Sequence, residues 1–288
     1  MKKIALILIL VLALFARWYK IDAPVADWHS WRQADTASVS HQYLKKGIDL
    51  LRPTYHDLSN IPSGEYNPQG YRMVEFPLYN AIHASLAQAA DFWTLDQWGR
   101  ALSIFFSLGT ILFLYLIVEK ISSSKTALLS AFILAIMPFN IFYSRTILPE
   151  PLMLFLLMAG SYFFIRMVEE TKPANFILSS LLLAASLLVK PYALFFFLPL
   201  LVLAYKKWGI KLIKKPLFYI YPLLVFVPLI LWRLWIQNFP AGIPANAWLL
   251  NMDNIRLRPA WWRWLFAERL AKLILGYWGL PLFVFGVL

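Results

Sequence analysis

The chain has 288 residues, 60% of them hydrophobic and 17% aromatic, with a mean hydropathy of +0.62. No ordinary soluble domain needs that much apolar surface, so the class is an integral membrane protein. The absence of cysteine excludes disulfides, thiolate nucleophiles and Cys-ligated zinc. The net charge of +12 fits span-flanking Lys and Arg beside anionic headgroups rather than nucleic-acid binding, because no basic motif with interleaved aromatics occurs.

The first apolar run, Ile4 to Phe15, follows Met1-Lys2-Lys3 and reads as an uncleaved anchor. A signal-peptide core is the alternative, but Leu14 spoils a small-x-small cleavage site before Ala16. Either choice sends residue 20 onward to the outer face. A mostly polar outer loop, 17–100, comes next and carries "HSWRQADT" at His29 to Thr36. Within it, 34–44 predicts a short helix, and 77–93 an amphipathic helix with Leu78, Ile82, Leu86 and Trp93 facing lipid at the interface.

Further apolar runs follow at 101–118, 126–143, 151–168, 176–189, 192–205, 217–236 and 273–288. With the anchor they predict about eight spans across a hydrocarbon core of about 30 Å. Lys190-Pro191 separates two of the runs by a tight turn. The expectation is a single all-α transmembrane domain over 1–288: the first outer loop, helices over 101–236, an outer loop at 237–272, and an incomplete last span at 273–288. The chain stops inside an apolar run, so the natural protein is expected to continue. The connection 206–216 holds Lys206, Lys207, Lys211, Lys214 and Lys215, which places it and the amino terminus in the cytoplasm.

All four histidines (His29, His41, His56 and His83) and nine of the fifteen acids fall in the first outer loop. Asp35 sits near a predicted helix start, where the dipole would keep it ionised and where capping is its ordinary role. Glu150, in "YSRTILPEPL", lies at a bilayer edge. A carboxylate there is costly unless paired, and Arg145 is its nearest cation in sequence. Glu75 marks the return of the loop to the interface, and Lys190 is either functional or a snorkelling lysine. Imidazole and carboxylate suit a divalent metal, yet no spacing matches a metal motif, so the histidines read as surface or structural. The topology nonetheless places Asp35, Glu75, Arg145, Glu150 and Lys190 on one membrane face.

In this order, "HSWRQADTASV", "VEFPLYN", "YSRTILPEPLM" and "LLVKPYALF" resemble the motifs of bacterial C-type (GT-C) glycosyltransferases. The nearer relatives are dolichyl-phosphate-mannose protein mannosyltransferases and lipid A aminoarabinose transferases. The resemblance covers most of the chain, and the first and third motifs are specific in combination. It implies a GT-C-like helix bundle that moves a sugar from a polyprenyl-phosphate donor to a glycan, lipid or protein acceptor on the outer face of the cytoplasmic (inner) membrane. It further implies a catalytic carboxylate at Asp35, acids at Glu150 and Glu75, and a functional lysine at Lys190. Two departures stand out: Glu150 occupies a place where several relatives have Asp, and the carboxy-terminal part of full-length members is absent.

Transfer of this kind needs a carboxylate base for the acceptor and cations for the leaving phosphate. Arg145 and Lys190 are the candidate phosphate binders, His29 and Arg32 lie beside Asp35, and Arg256 and Arg258 stand in reserve on the last outer loop. Trp28, Trp31, Tyr55, Tyr71, Trp261 and Trp262 could stack on sugar rings or anchor the interface. A divalent metal remains possible. The competing class is a transporter or lipid flippase, but those place polar groups near the midplane on broken helices in repeated halves. Here the charges sit at span ends and no repeat is found.

Overall fold

A computed structural model describes residues 2–25, 29–170, 172–245 and 251–287. The described residues are helical throughout, apart from connecting loops and one isolated antiparallel bridge between Thr54 and Tyr71. The chain is an all-α polytopic membrane protein. The helices are α1 (Lys2–Trp18), α2 (Ser30–Lys46), α3 (Leu78–Ala89), α4 (Leu95–Ile121), α5 (Ser124–Ile136), α6 (Pro138–Tyr143), α7 (Glu150–Glu170) and α8 (Pro173–Val189). There follow α9 (Phe197–Trp208, extended by 3-10 turns to Pro191–Lys214), α10 (Leu217–Ile236), α11 (Pro259–Arg263, running on as a π-helix to Ile274) and α12 (Gly279–Val287).

The expectation of eight spans needs correction. Among the described residues four helices are long and apolar enough to cross a membrane: 95–121, 150–170, 191–214 and 217–236. A fifth results if Pro259–Ile274 and Gly279–Gly286, bent by 114°, count as one. Hydropathy registers apolar composition, whereas a span needs unbroken helix. The run 126–143 is cut at Pro138 into 13 and 6 residues, and at 1.5 Å per residue the longer piece covers only about 20 Å. Lys190 does separate two helices as expected: α8 ends at Val189, Lys190 is extended, and Pro191 opens the next element.

The core forms around α7, whose apolar window is 67% buried against 17% for α9 and α10. Small residues permit that density. A Cβ on Gly109 would lie 2.5 Å from the Phe155 ring, and one on Gly160 would lie 2.7 Å from Leu183. Close backbone approach of this kind is what holds helices together where lipid removes the hydrophobic drive.

At the break before Pro138 the lost N–H leaves the Leu134 carbonyl without its helical donor. Arg17, fully buried at the end of α1, supplies donors there. Its guanidinium reaches the carbonyls of Ala135 (2.9 Å) and Leu134 (3.4 Å), Asn140 Oδ1, and the hydroxyls of Ser107 (3.0 Å) and Ser144 (2.7 Å). The break is thereby satisfied inside protein, as a membrane core requires.

The bundle has two unlike ends. One gathers Lys2, Lys120, Arg166, Lys172 and Lys206–Lys215, with Glu169 held by Lys120 (2.6 Å) and Glu170 by Arg166 and Lys172 (3.0 Å each). The other carries the loop 17–100, the start of α7 and the end of α8.

The loop corrects a second expectation. Both of its helices form, α2 from Ser30 rather than residue 34 and α3 only as far as Ala89, but Leu78, Ile82 and Leu86 pack against the protein core instead of lipid. Trp93 nests against Trp18 and Trp98. The cause lies on the other faces of α3. Asn80 donates to the Thr36 carbonyl (2.7 Å), and His83 Nε2 donates to the Leu95 carbonyl (2.7 Å), so the helix is wedged between α2 and α4. Burial pushes His83 down to about 4, and it is neutral at physiological pH.

Candidate active site

Helix α2 begins at Ser30, after His29 turns the chain in a left-handed conformation (φ 61°). Helical spacing then sets Arg32, Asp35, Thr36 and Val39 on one face. Asp35 is therefore the sixth helical residue and not a cap or first-turn residue, which corrects the capping reading.

Facing it runs the extended segment 71–76. Arg72 N–H donates to Pro53 (2.9 Å), Met73 N–H to Gly242 (2.8 Å) and Phe76 N–H to Leu188 (3.1 Å). These three anchors come from the first loop, the last outer connection and α8. They fix Arg72 and Glu75 over α2. Gln33 adds a fourth tie, its Oε1 accepting from Ile147 N–H (3.1 Å), which sets "TILPE" against the same helix.

The charged side chains meet in ion pairs. Arg72 binds Asp35 at 2.8 Å, Arg32 donates to Glu75, and Lys190 lies 3.8 Å from Glu75 and 3.0 Å from Glu150. Four remote segments thus converge. Glu150 opens α7, where the helix dipole favours an anion, and Lys190 closes α8, where it favours a cation. The Arg32, Asp35, Thr36, Arg72, Glu75 and Asn80 side chains line a small cleft beside the pairs. An apolar cavity of about 480 Å³ lies elsewhere.

Environment separates the acids. Burial pushes Asp35 above the usual aspartate range, and the opposing pull of Arg72 and Arg32 does not offset it. Burial also pushes Glu75 upward, but Lys190 and Arg32 outweigh it and hold this carboxyl below its ordinary range. One oxygen each of Glu75 and Glu150 (Oε2) is buried without a hydrogen-bond partner. Such acceptors invite donors, because a buried unsatisfied oxygen costs about 1–3 kcal/mol. Among the described residues no group of three or more His, Asp or Glu side chains is arranged to hold a metal. Between Glu75 and Glu150 the cation is the Lys190 ammonium.

The sequence candidates divide. Asp35, Glu75, Glu150, Lys190 and Arg32 come together. Arg145 instead reaches the Lys20 carbonyl (3.2 Å) and the Tyr19 ring (5.8 Å) at the rim, and Glu150 takes Lys190 as its close partner. His29 lies against Tyr143 (5.9 Å). Arg256 and Arg258 belong to Met252–Leu257 and the residue after it, where Arg258 donates to the Asp253 carbonyl (2.9 Å). Of the aromatics, Tyr55 is buried under Arg72 (4.9 Å) and Tyr71 packs on Phe239 (4.8 Å), while Trp31 and Trp262 are exposed and Trp28 lies outside the described residues.

Arg72 is the residue that sequence reasoning missed. Its signal was present in "YRMVEF", an arginine three positions before the noted glutamate. An irregular extended segment, however, offers no period by which to tell which face its side chain takes.

A family described as dolichyl-phosphate-mannose-protein mannosyltransferase matches residues 92–235, half of the chain. The chain belongs to this family. The mannosyltransferase match takes in Glu150 and Lys190 and stops before the last outer connection. A relative in Bacillus subtilis (strain 168), named "Putative mannosyltransferase YycA", is 26% identical over 204 residues, or 70% of this chain. The alignment spans only 27% of that relative's length.

Proposed function

We propose that this end of the bundle transfers a sugar from a polyprenyl-phosphate carrier to an acceptor hydroxyl on the outer face of the cytoplasmic membrane. The observation that carries the reading is the convergence of Asp35, Arg72, Arg32, Glu75, Lys190 and Glu150 from four segments at one end of an apolar bundle.

Asp35 is the base. It takes the acceptor proton as the hydroxyl oxygen attacks the anomeric carbon, and the bond from that carbon to the carrier phosphate breaks with its electron pair leaving on phosphate. A base whose pKa is raised toward the working pH accepts a proton more readily, and such catalysis contributes about 10²–10⁴-fold. Glu75 and Glu150 accept hydrogen bonds from sugar hydroxyls through their open oxygens.

The cations Arg32, Arg72 and Lys190 balance the three acids. An arriving phosphate therefore draws a cation from an existing pair, and drawing Arg72 frees Asp35 for its task. Arg145 adds charge from the rim. Fixed cations stabilise the negative charge that builds on the departing phosphate, and in a site of this kind that electrostatic effect lowers the barrier most. Charge placed at span ends, and not at mid-membrane, supports transfer over the transporter reading.

The test is to incubate membranes containing full-length protein with labelled polyprenyl-phosphate sugars and extract the products. Label leaving the carrier in wild type, and remaining on it in Asp35→Asn, is the expected result. Label that stays on the carrier in both, with intact protein, refutes it.

A further inference from the structure

We propose that the apolar cavity at the lysine-rich end of the bundle binds an anionic phospholipid from the adjacent leaflet. This proposal does not rest on the transfer reading.

The cavity is about 480 Å³, within the range of ligand sites. Phe164 and Met167 of α7 form one wall, and Ala204, Trp208 and Tyr221 of α9 and α10 form others. The membrane side is lined by Leu198 and Leu201, which are 67% and 49% exposed, so a hydrocarbon chain can enter sideways. Phe164 lies fourteen positions beyond Glu150 in α7, about 20 Å along the helix axis. The cavity therefore stands well apart from the ion-pair cluster.

Charge at the mouth names the headgroup. Lys215 lies over the Trp208 ring (5.0 Å), and Lys211 and Lys214 flank the buried Leu212 in the turn Gly209–Lys214. The acids of this end are occupied, Glu169 by Lys120, Glu170 by Arg166 and Lys172, and Glu119 by the hydroxyls of Tyr115 and Ser124. Among the described residues the lysines of 206–215 form no ion pair with protein, while apolar surface lies directly beneath them. A molecule that matches both is an acyl chain carrying an anionic head. Basic side chains at a membrane surface favour such heads additively.

The full chain, purified in mild detergent and stripped of lipid, is titrated with phosphatidylglycerol and with phosphatidylcholine of the same acyl chains. Native mass spectrometry and thermal melting report binding. Phosphatidylglycerol should bind at least about tenfold more tightly than phosphatidylcholine and raise the melting temperature. The triple variant Lys211→Gln, Lys214→Gln, Lys215→Gln should lose that preference. Leu201→Trp, on a half-exposed wall, should weaken both lipids by filling the cavity. Neither variant enters the packed core, and circular dichroism checks their folding. Equal binding of the two lipids, no binding of either, or an unchanged preference in the triple variant overturns the proposal. So does displacement by polyprenyl phosphate, which would give the cavity to the carrier's tail. Because no sugar transfer is measured, any of these results leaves the catalytic reading untouched.

Discussion

Replacing Asp35 by Asn separates chemistry from architecture, and the structure allows both effects to be sized. The pair with Arg72 is intermediate in exposure, with side chains 25% and 10% accessible. Breaking a fully buried pair costs about 3–5 kcal/mol, and an exposed pair is worth about 0–1 kcal/mol. Three features pull the present case toward the lower value. The amide oxygen still accepts from Arg72, Arg72 keeps Asp57 and Glu75 as neighbouring charges, and its guanidinium stays over Tyr55. The sign of the Asp35 shift works the same way. A carboxyl raised on folding loses stability as pH rises through its native range, so the neutral amide relieves a penalty that ionised Asp35 carries at pH 7. The net change is about 1 kcal/mol, a melting shift of about 2–4 °C. Transfer should fall by about 10²-fold or more, equivalent to about 2.7 kcal/mol of barrier, because an amide accepts no proton. The assay is sugar transfer from a lipid-linked donor by full-length protein, with melting measured on the same preparation. If the variant melts within a few degrees of wild type and keeps most of its rate, Asp35 is not the base.

Removing the pull of Arg72 in Arg72→Gln should move the acid limb of the transfer–pH profile further upward, whereas an unmoved limb would show that Asp35 does not set it. Glu75 is depressed, so its contribution to stability is complete above the ordinary glutamate range and is lost as pH falls through its lowered native value; Glu75→Gln should melt lower at pH 7 and converge with wild type in acid. Arg17→Met should destabilise the chain by about 3 kcal/mol or more through the carbonyls and hydroxyls it strands, read as an early melt with no change in the cleft. Single cysteines placed in this cysteine-free chain should react with an impermeant reagent at Ser59 and not at Lys211 in intact cells, and the reverse pattern would invert the assigned faces.

The acids and Lys190 were legible because each sits at a junction, where an ionisable group beside an apolar run has few ordinary reasons to exist. The reading of Asp35 as a cap failed on a boundary: His29 starts the helix earlier than the polarity pattern around Ala34 suggests. Arg72 stayed hidden because only the tertiary anchors at Pro53, Gly242 and Leu188 decide which way that segment faces. The amphipathic reading of α3 found its apolar stripe but not what that stripe meets. A stripe facing lipid and one facing protein share a sequence pattern, and buried Asn80 and His83 distinguish them only once α2 and α4 are in place.

The buried guanidinium of Arg17 also sets an order of biogenesis. Helix α1 is synthesised first, yet five of its acceptors (Ser107, Leu134, Ala135, Asn140 and Ser144) emerge ninety or more residues later. A lone arginine drawn into a bilayer costs about 2.5–3.5 kcal/mol on insertion scales, which favours holding this side chain at the headgroups until its acceptors arrive. The interrupted helix before Pro138 arrives with the complementary problem, carbonyls that need donors. Each segment is poorly settled in lipid alone, and their meeting resolves both at once, making the docking of α5 and α6 the event that seats α1.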